Sequence, residues 1–98
     1  MSNVYLIAEI QAAAGQAENV SALLQDLVAA SQAETGCITY ELYQDTTTEG
    51  LFVVREIWQS TDALAEHEQS VHFQNFVTTT QDNQLTTSLL VRPLTPVV

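Results

Sequence analysis

The chain has 98 residues, room for one domain spanning residues 1–98 and one hydrophobic core. Hydrophobic residues make up 46% of it, a globular proportion, and twelve acidic residues against two arginines and no lysine give a net charge of -10. That balance excludes nucleic acid and an anionic membrane as main partners, because a phosphate surface needs a basic one opposite it.

A single cysteine, Cys37, excludes an intramolecular disulfide framework. Residues 1–11 carry no basic segment and reach Glu9 after a short apolar run, unlike a secretory signal. No stretch approaches the ~20 apolar residues that span a bilayer, so a cytoplasmic protein is expected.

Val4 to Gln11 alternates, with Val4, Leu6, Ala8 and Ile10 on one face, and reads as a strand. Ala12 to Gly15 reads as a connection. From Gln16 the period becomes helical, with Val20, Leu23, Leu24, Leu27 and Val28 in one stripe. The helix is expected to end near Glu34, with Gly36 in a left-handed C-terminal position. Cys37 to Asp45 alternates again, Ile38, Tyr40 and Leu42 opposing Cys37, Thr39, Glu41 and Tyr43.

Residues 46–50, ending in Gly50, suit a hairpin loop before a return strand from Leu51 to Trp58. Phe52, Val54, Glu56 and Trp58 share one side of that strand, and Leu51, Val53, Arg55 and Ile57 the other. Ser60 or Thr61 can cap a second helix, with Asp62 in its first turn. Leu64, His67 and Val71 recur at helical spacing, and then a second stripe of Phe73, Phe76 and Val77 implies a break or bend around Ser70 to His72. A last strand, roughly Leu85 to Arg92, is expected to end before Pro93.

The order β-α-β-β-α-β predicts an α+β ferredoxin-like sandwich, a four-stranded antiparallel sheet with both helices on one face. Tyr5, Ile7, Tyr43, Leu51, Val53, Ile57 and Leu90 then fall on the outer face with nothing in the chain to cover them. Two-fold packing of that face predicts a homodimer. If Ile38 opposes Trp58 in the hairpin, Glu41 opposes Arg55 on the outer face as an ion pair.

His67 and His72 are the side chains best suited to proton transfer near neutrality. Five residues apart on an unbroken helix, they stand ~140° apart, so only a bend directs both to one place. The alternative for His67 is a core histidine held by hydrogen bonds, and for His72 a capping or surface role. Glu56, on the face that meets the helices, needs a partner or a raised pKa and can pair with either imidazole, with Tyr40 or with a backbone amide. Trp58, Tyr40, Phe73 and Phe76 either line a flat apolar cavity for a small aromatic ligand or are plain core. The spacing of His67, His72 and Glu56 matches no strong zinc signature, and no phosphate-binding loop or dinucleotide fingerprint occurs, so no metal and no cofactor is expected.

Gly36 to Asp45, Phe52 to Trp58, Ala63 to His67 and His72 to Phe76, in this order and spacing, resemble the antibiotic biosynthesis monooxygenase family. The resemblance covers about residues 4 to 92. It implies a dimeric α+β barrel, two ferredoxin-like protomers packed sheet to sheet. It also implies cofactor-independent oxidation of a quinol or polycyclic phenol by dioxygen. On that reading His67 or His72 deprotonates the phenol, Glu56 orients the imidazole, and Trp58, Tyr40, Phe73 and Phe76 bound the substrate. Haem-degrading relatives use an asparagine on the first strand, where this chain has Ala8, Glu9 and Ile10, which ranks haem binding or degradation lower. A non-catalytic dimeric ligand-binding protein is the remaining alternative.

Overall fold

Alternation of small and branched apolar residues commits residues 4–12 to a strand whose inward side chains, Leu6, Ala8, Ile10 and Ala12, are all buried. In the computed structural model, which describes residues 2–98, this strand β1 (Val4–Ala12) is followed by α1 (Ala17–Gln32) and the hairpin of β2 (Cys37–Gln44) and β3 (Leu51–Trp58). Two short helices, α2 (Thr61–Gln69) and α3 (Val71–Asp82), then lead to β4 (Thr86–Leu94). No helix among the described residues is long and apolar enough to cross a membrane.

The strands lie in the order β2-β3-β1-β4, every pair antiparallel, which is the ferredoxin-like β-α-β-β-α-β topology with its second helix in two pieces. The sheet is open. Strands β2 and β4 are edges and do not bond to each other, which corrects the expected α+β barrel. The physical reason is strand count, since the four strands of one chain fall well short of the roughly eight that close around a filled interior.

Helix stripes cover one face only. Val20, Leu24 and Leu27 of α1, Ala63 and His67 of α2 and Phe76 of α3 are buried with Tyr40, Phe52, Val54 and Trp58. The other face keeps Tyr5, Ile7, Val53 and Ile57 half-exposed and Tyr43 and Leu90 exposed. Both arginines lie here. Arg55 reaches Glu41 at 3.2 Å, as the register reading expected, and Arg92 reaches Glu9 at 3.4 Å.

Four local expectations need correction. A bulge between Cys37 and Thr39 sets Cys37, not Ile38, opposite Trp58, and yet Glu41 still pairs with Arg55. Strand β4 runs past Arg92 through Pro93, which an edge strand tolerates because the missing N–H would have faced outward. Val71 leaves the His67 stripe and is 75% exposed, because α2 stops at Ser70 and α3 starts afresh.

Gly36, the fourth, is not left-handed; the positive-φ glycines are Gly15 and Gly50. Its lack of a side chain serves close packing instead, because a Cβ there would collide with the Cβ of Ala63 on α2.

Candidate active site

Ser70 is where the site begins. Its extended backbone (φ -66°, ψ 153°) ends α2 and caps α3, its Oγ donating to the His67 carbonyl at 2.6 Å and accepting from the Phe73 amide at 3.2 Å. The break reorients α3 so that the two imidazoles converge on one carboxylate. That carboxylate belongs to Glu34, in the turn between α1 and β2, and not to Glu56. Its Oε2 lies 2.7 Å from His67 Nδ1 and 2.7 Å from His72 Nε2.

A carboxylate only accepts, so both rings donate through these nitrogens, and their tautomers are fixed. The nitrogens left free of Glu34 are His67 Nε2 and His72 Nδ1. His67 is 1% exposed, and its Nε2 has no hydrogen-bond partner among the described residues. Burial lowers the His67 pKa, outweighing the Glu34 carboxylate that pulls it up, so the ring is neutral.

The aromatic residues singled out in the sequence surround His67. Ring centroids lie 4.5 Å away for Trp58, 5.0 Å for Phe73 and 5.4 Å for Tyr40. Trp58 and Tyr40 are almost fully buried and fill the space between sheet and helices. Burial, and then the Glu56 charge, push the Tyr40 phenol up. Phe76 sits apart from this group, with Leu23 and Leu27 in a cleft of about 260 Å³ between α1 and α3.

Glu56 lies deeper, flanked by Leu6 on β1 and Tyr40 on β2, and accepts a 3.0 Å hydrogen bond from Trp58 Nε1. Burial raises its pKa to about 7 against the pull of that bond. Its hydrogen bond leads to the indole, whose ring lies tilted against His67. The Cys37 thiol is held protonated, chiefly by burial and then by the Glu34 and Glu56 charges.

His72 is the solvent-reached member, with its side chain 28% exposed. It borders the α1–α3 cleft and also a second one of about 370 Å³, where Glu34, Gly36, Ala63, Glu66 and Ser70 form part of the wall. The arrangement is a carboxylate holding two imidazoles, one buried among aromatic rings and one at the mouth of two clefts. Chemically it is a base with a built-in counter-charge.

A family profile described as antibiotic biosynthesis monooxygenase matches residues 3–79. The crystal structure of PA3566 from Pseudomonas aeruginosa is similar, with a TM-score of 0.93 and 35% identity over 100% of this chain and 97% of that one. That of Rv0793 from Mycobacterium tuberculosis has a TM-score of 0.88 and 32% identity, covering 99% of this chain and 97% of that one. Among curated relatives, sll1783 of Synechocystis is 37% identical over 65 residues, 66% of this chain and 44% of the relative. YcnE of Bacillus subtilis is 40% identical over 53 residues, 54% of this chain and 56% of the relative. The match thus spans about half the length of the curated relatives.

Proposed function

Because the chain belongs to the antibiotic biosynthesis monooxygenase family, we propose that it is a monooxygenase-type oxidoreductase that oxidises a quinol or polycyclic phenol with dioxygen. Family membership supports the general class of reaction. One observation carries the mechanism: Glu34 Oε2 sits 2.7 Å from a nitrogen of each imidazole, and one of those rings opens on an apolar cleft.

The substrate ring lies against Leu23, Leu27 and Phe76, with its hydroxyl toward His72. The imidazole takes the phenolic proton on Nδ1. Glu34 stabilises the imidazolium that results, and His67 holds Glu34 from the other side as a positioning residue. The phenolate passes one electron to dioxygen, and superoxide and the phenoxyl radical combine at a ring carbon bearing hydrogen. That carbon loses its proton as the O–O bond breaks. One oxygen atom stays as the quinone carbonyl and the other leaves as water, carrying the proton returned by His72 and the proton lost from the ring carbon. The reaction uses no resident redox group, and burial of the Glu34 system strengthens its electrostatics.

An oxygen electrode with a panel of quinols and hydroxylated polycyclic aromatics tests this. His72→Ala and Glu34→Gln are each expected to lower turnover by ~10²-fold or more. Oxygen uptake that is retained in both variants, with a substrate the wild type consumes, overturns the base assignment.

The working unit we propose is a homodimer formed through the outer sheet face. Tyr5, Ile7, Val53, Ile57 and Leu90 leave an apolar surface there, crossed by the Glu41–Arg55 and Glu9–Arg92 pairs, and no layer among the described residues covers it. Sedimentation velocity over a dilution series is expected to show a dimer. A monomer throughout removes this part of the proposal.

A further inference from the structure

The Glu34 cluster has the composition of a metal site as well as of a base. One carboxylate oxygen and two imidazole nitrogens lie within 4.8 Å of one another on three different segments, the α1–β2 turn, α2 and α3. We propose that Glu34 Oε2, His67 Nδ1 and His72 Nε2 bind a divalent first-row transition-metal ion, which replaces the two hydrogen-bond protons and reverses the tautomer of both imidazoles.

Distances narrow the class of ion. With ligands at about 2.1 Å, two at right angles stand about 3.0 Å apart and two at a tetrahedral angle about 3.4 Å. The O–N separations of 2.7 Å are nearer the right-angle value, so a metal enters with small outward movements of His72 and Glu34. Two histidines and one carboxylate on one side of the ion, with the other positions left to water, suit metals that accept five or six ligands. Two imidazoles disfavour magnesium and calcium, which prefer oxygen donors.

A second observation points the same way. In the hydrogen-bonded state His67 presents a lone pair at Nε2, buried and without a partner among the described residues. Metal at Nδ1 moves the proton to Nε2, and an N–H can settle against the rings of Trp58, Phe73 and Tyr40 where a lone pair cannot. Access is present too. The cleft of about 370 Å³ reaches Glu34 and His72, has Glu66 in its wall, and opens on a chain of net charge -10 that draws cations.

Titration of the purified full chain with Co²⁺, followed by its visible absorption, and with Zn²⁺ by calorimetry tests the site without any turnover. One ion per chain is expected, together with a change in the His67 tautomer seen in long-range ¹H–¹⁵N spectra. Glu34→Gln and His72→Ala are each expected to weaken binding at least about tenfold. Circular dichroism checks that both variants fold; His72 is chosen because it is half-exposed, whereas His67 is core. Absence of saturable binding up to millimolar Co²⁺ overturns the proposal. So does binding whose affinity survives both substitutions, or Mg²⁺ competing on equal terms. The base assignment is judged separately by oxygen uptake in metal-free buffer.

Discussion

Replacing Glu56 by glutamine isolates the least usual titration in the protein. The side chain is 6% exposed, packed between Leu6 and Tyr40, and its one strong partner is Trp58 Nε1. Burial raises the carboxyl from 4.5 to about 7. Between these values the unfolded chain has lost the proton while the native one keeps it, so native stability falls as pH rises. The contribution is complete below pH ~4.5 and gone above pH ~7, and its size is about 3 kcal/mol.

Glutamine keeps an acceptor for the indole and cannot ionise. Urea unfolding at fixed protein concentration, at pH 5 and pH 8, compares the two chains. The other acidic groups cancel in the difference. Glu56→Gln is expected to lie within ~1 kcal/mol of wild type at pH 5 and to gain about 3 kcal/mol relative to it at pH 8. Parallel stability curves across this range would refute the reasoning, because they would mean that the carboxyl is already ionised, or already hydrated, in the native state.

Trp58→Phe removes the donor that holds the Glu56 pKa down, so a carboxyl titration followed by NMR is expected to move further above pH 7; a downward move contradicts the assigned bond. Gly36→Ala drives a Cβ into Ala63, and an overpacking cost of ~1–3 kcal/mol is expected in thermal unfolding, with altered His67 and His72 resonances. Unchanged stability and spectra mean that α2 does not depend on this contact. Arg55→Ala breaks an ion pair whose side chains are 49% and 47% exposed, so the protomer is expected to lose under ~1 kcal/mol while dimerisation weakens measurably by sedimentation. Equal association in the variant contradicts the role given to Arg55 in the interface.

Local periodicity carried most of the fold, because period-two and period-3.6 patterns are set by which residues must face the helices. It also pointed to a break around Ser70 to His72, between the stripe of Leu64, His67 and Val71 and that of Phe73, Phe76 and Val77, and the break falls at Ser70. It did not show Glu34. That residue closes a turn and shows no pattern of its own, and its partners lie 33 and 38 positions away in the chain. Glu56 drew attention instead because a carboxylate inside an apolar strand face stands out in sequence, whereas a carboxylate in a polar turn does not. Gly36 was misread for a related reason. A glycine after a helix most often supplies a left-handed residue, and here it supplies clearance for Ala63, a contact between segments that no local rule contains.

The two carboxylates divide the proton chemistry between them by depth. Glu56, under the sheet-facing core, is held toward its neutral form chiefly by burial, and among the described residues its hydrogen bond is to the Trp58 indole. Glu34, at the cleft, meets a nitrogen of each imidazole at 2.7 Å. Trp58 stands between them, bonded to one carboxylate through Nε1 and stacked at 4.5 Å on the imidazole held by the other. Direct pairing of Glu56 with His67 would put a buried ion pair in the core, with a desolvation cost that a single good contact seldom recovers. Moving the counter-charge to the half-buried Glu34 avoids that cost and leaves His67 neutral. It also makes the break at Ser70 indispensable, since an unbroken helix would turn His72 ~140° away from the carboxylate that His67 engages.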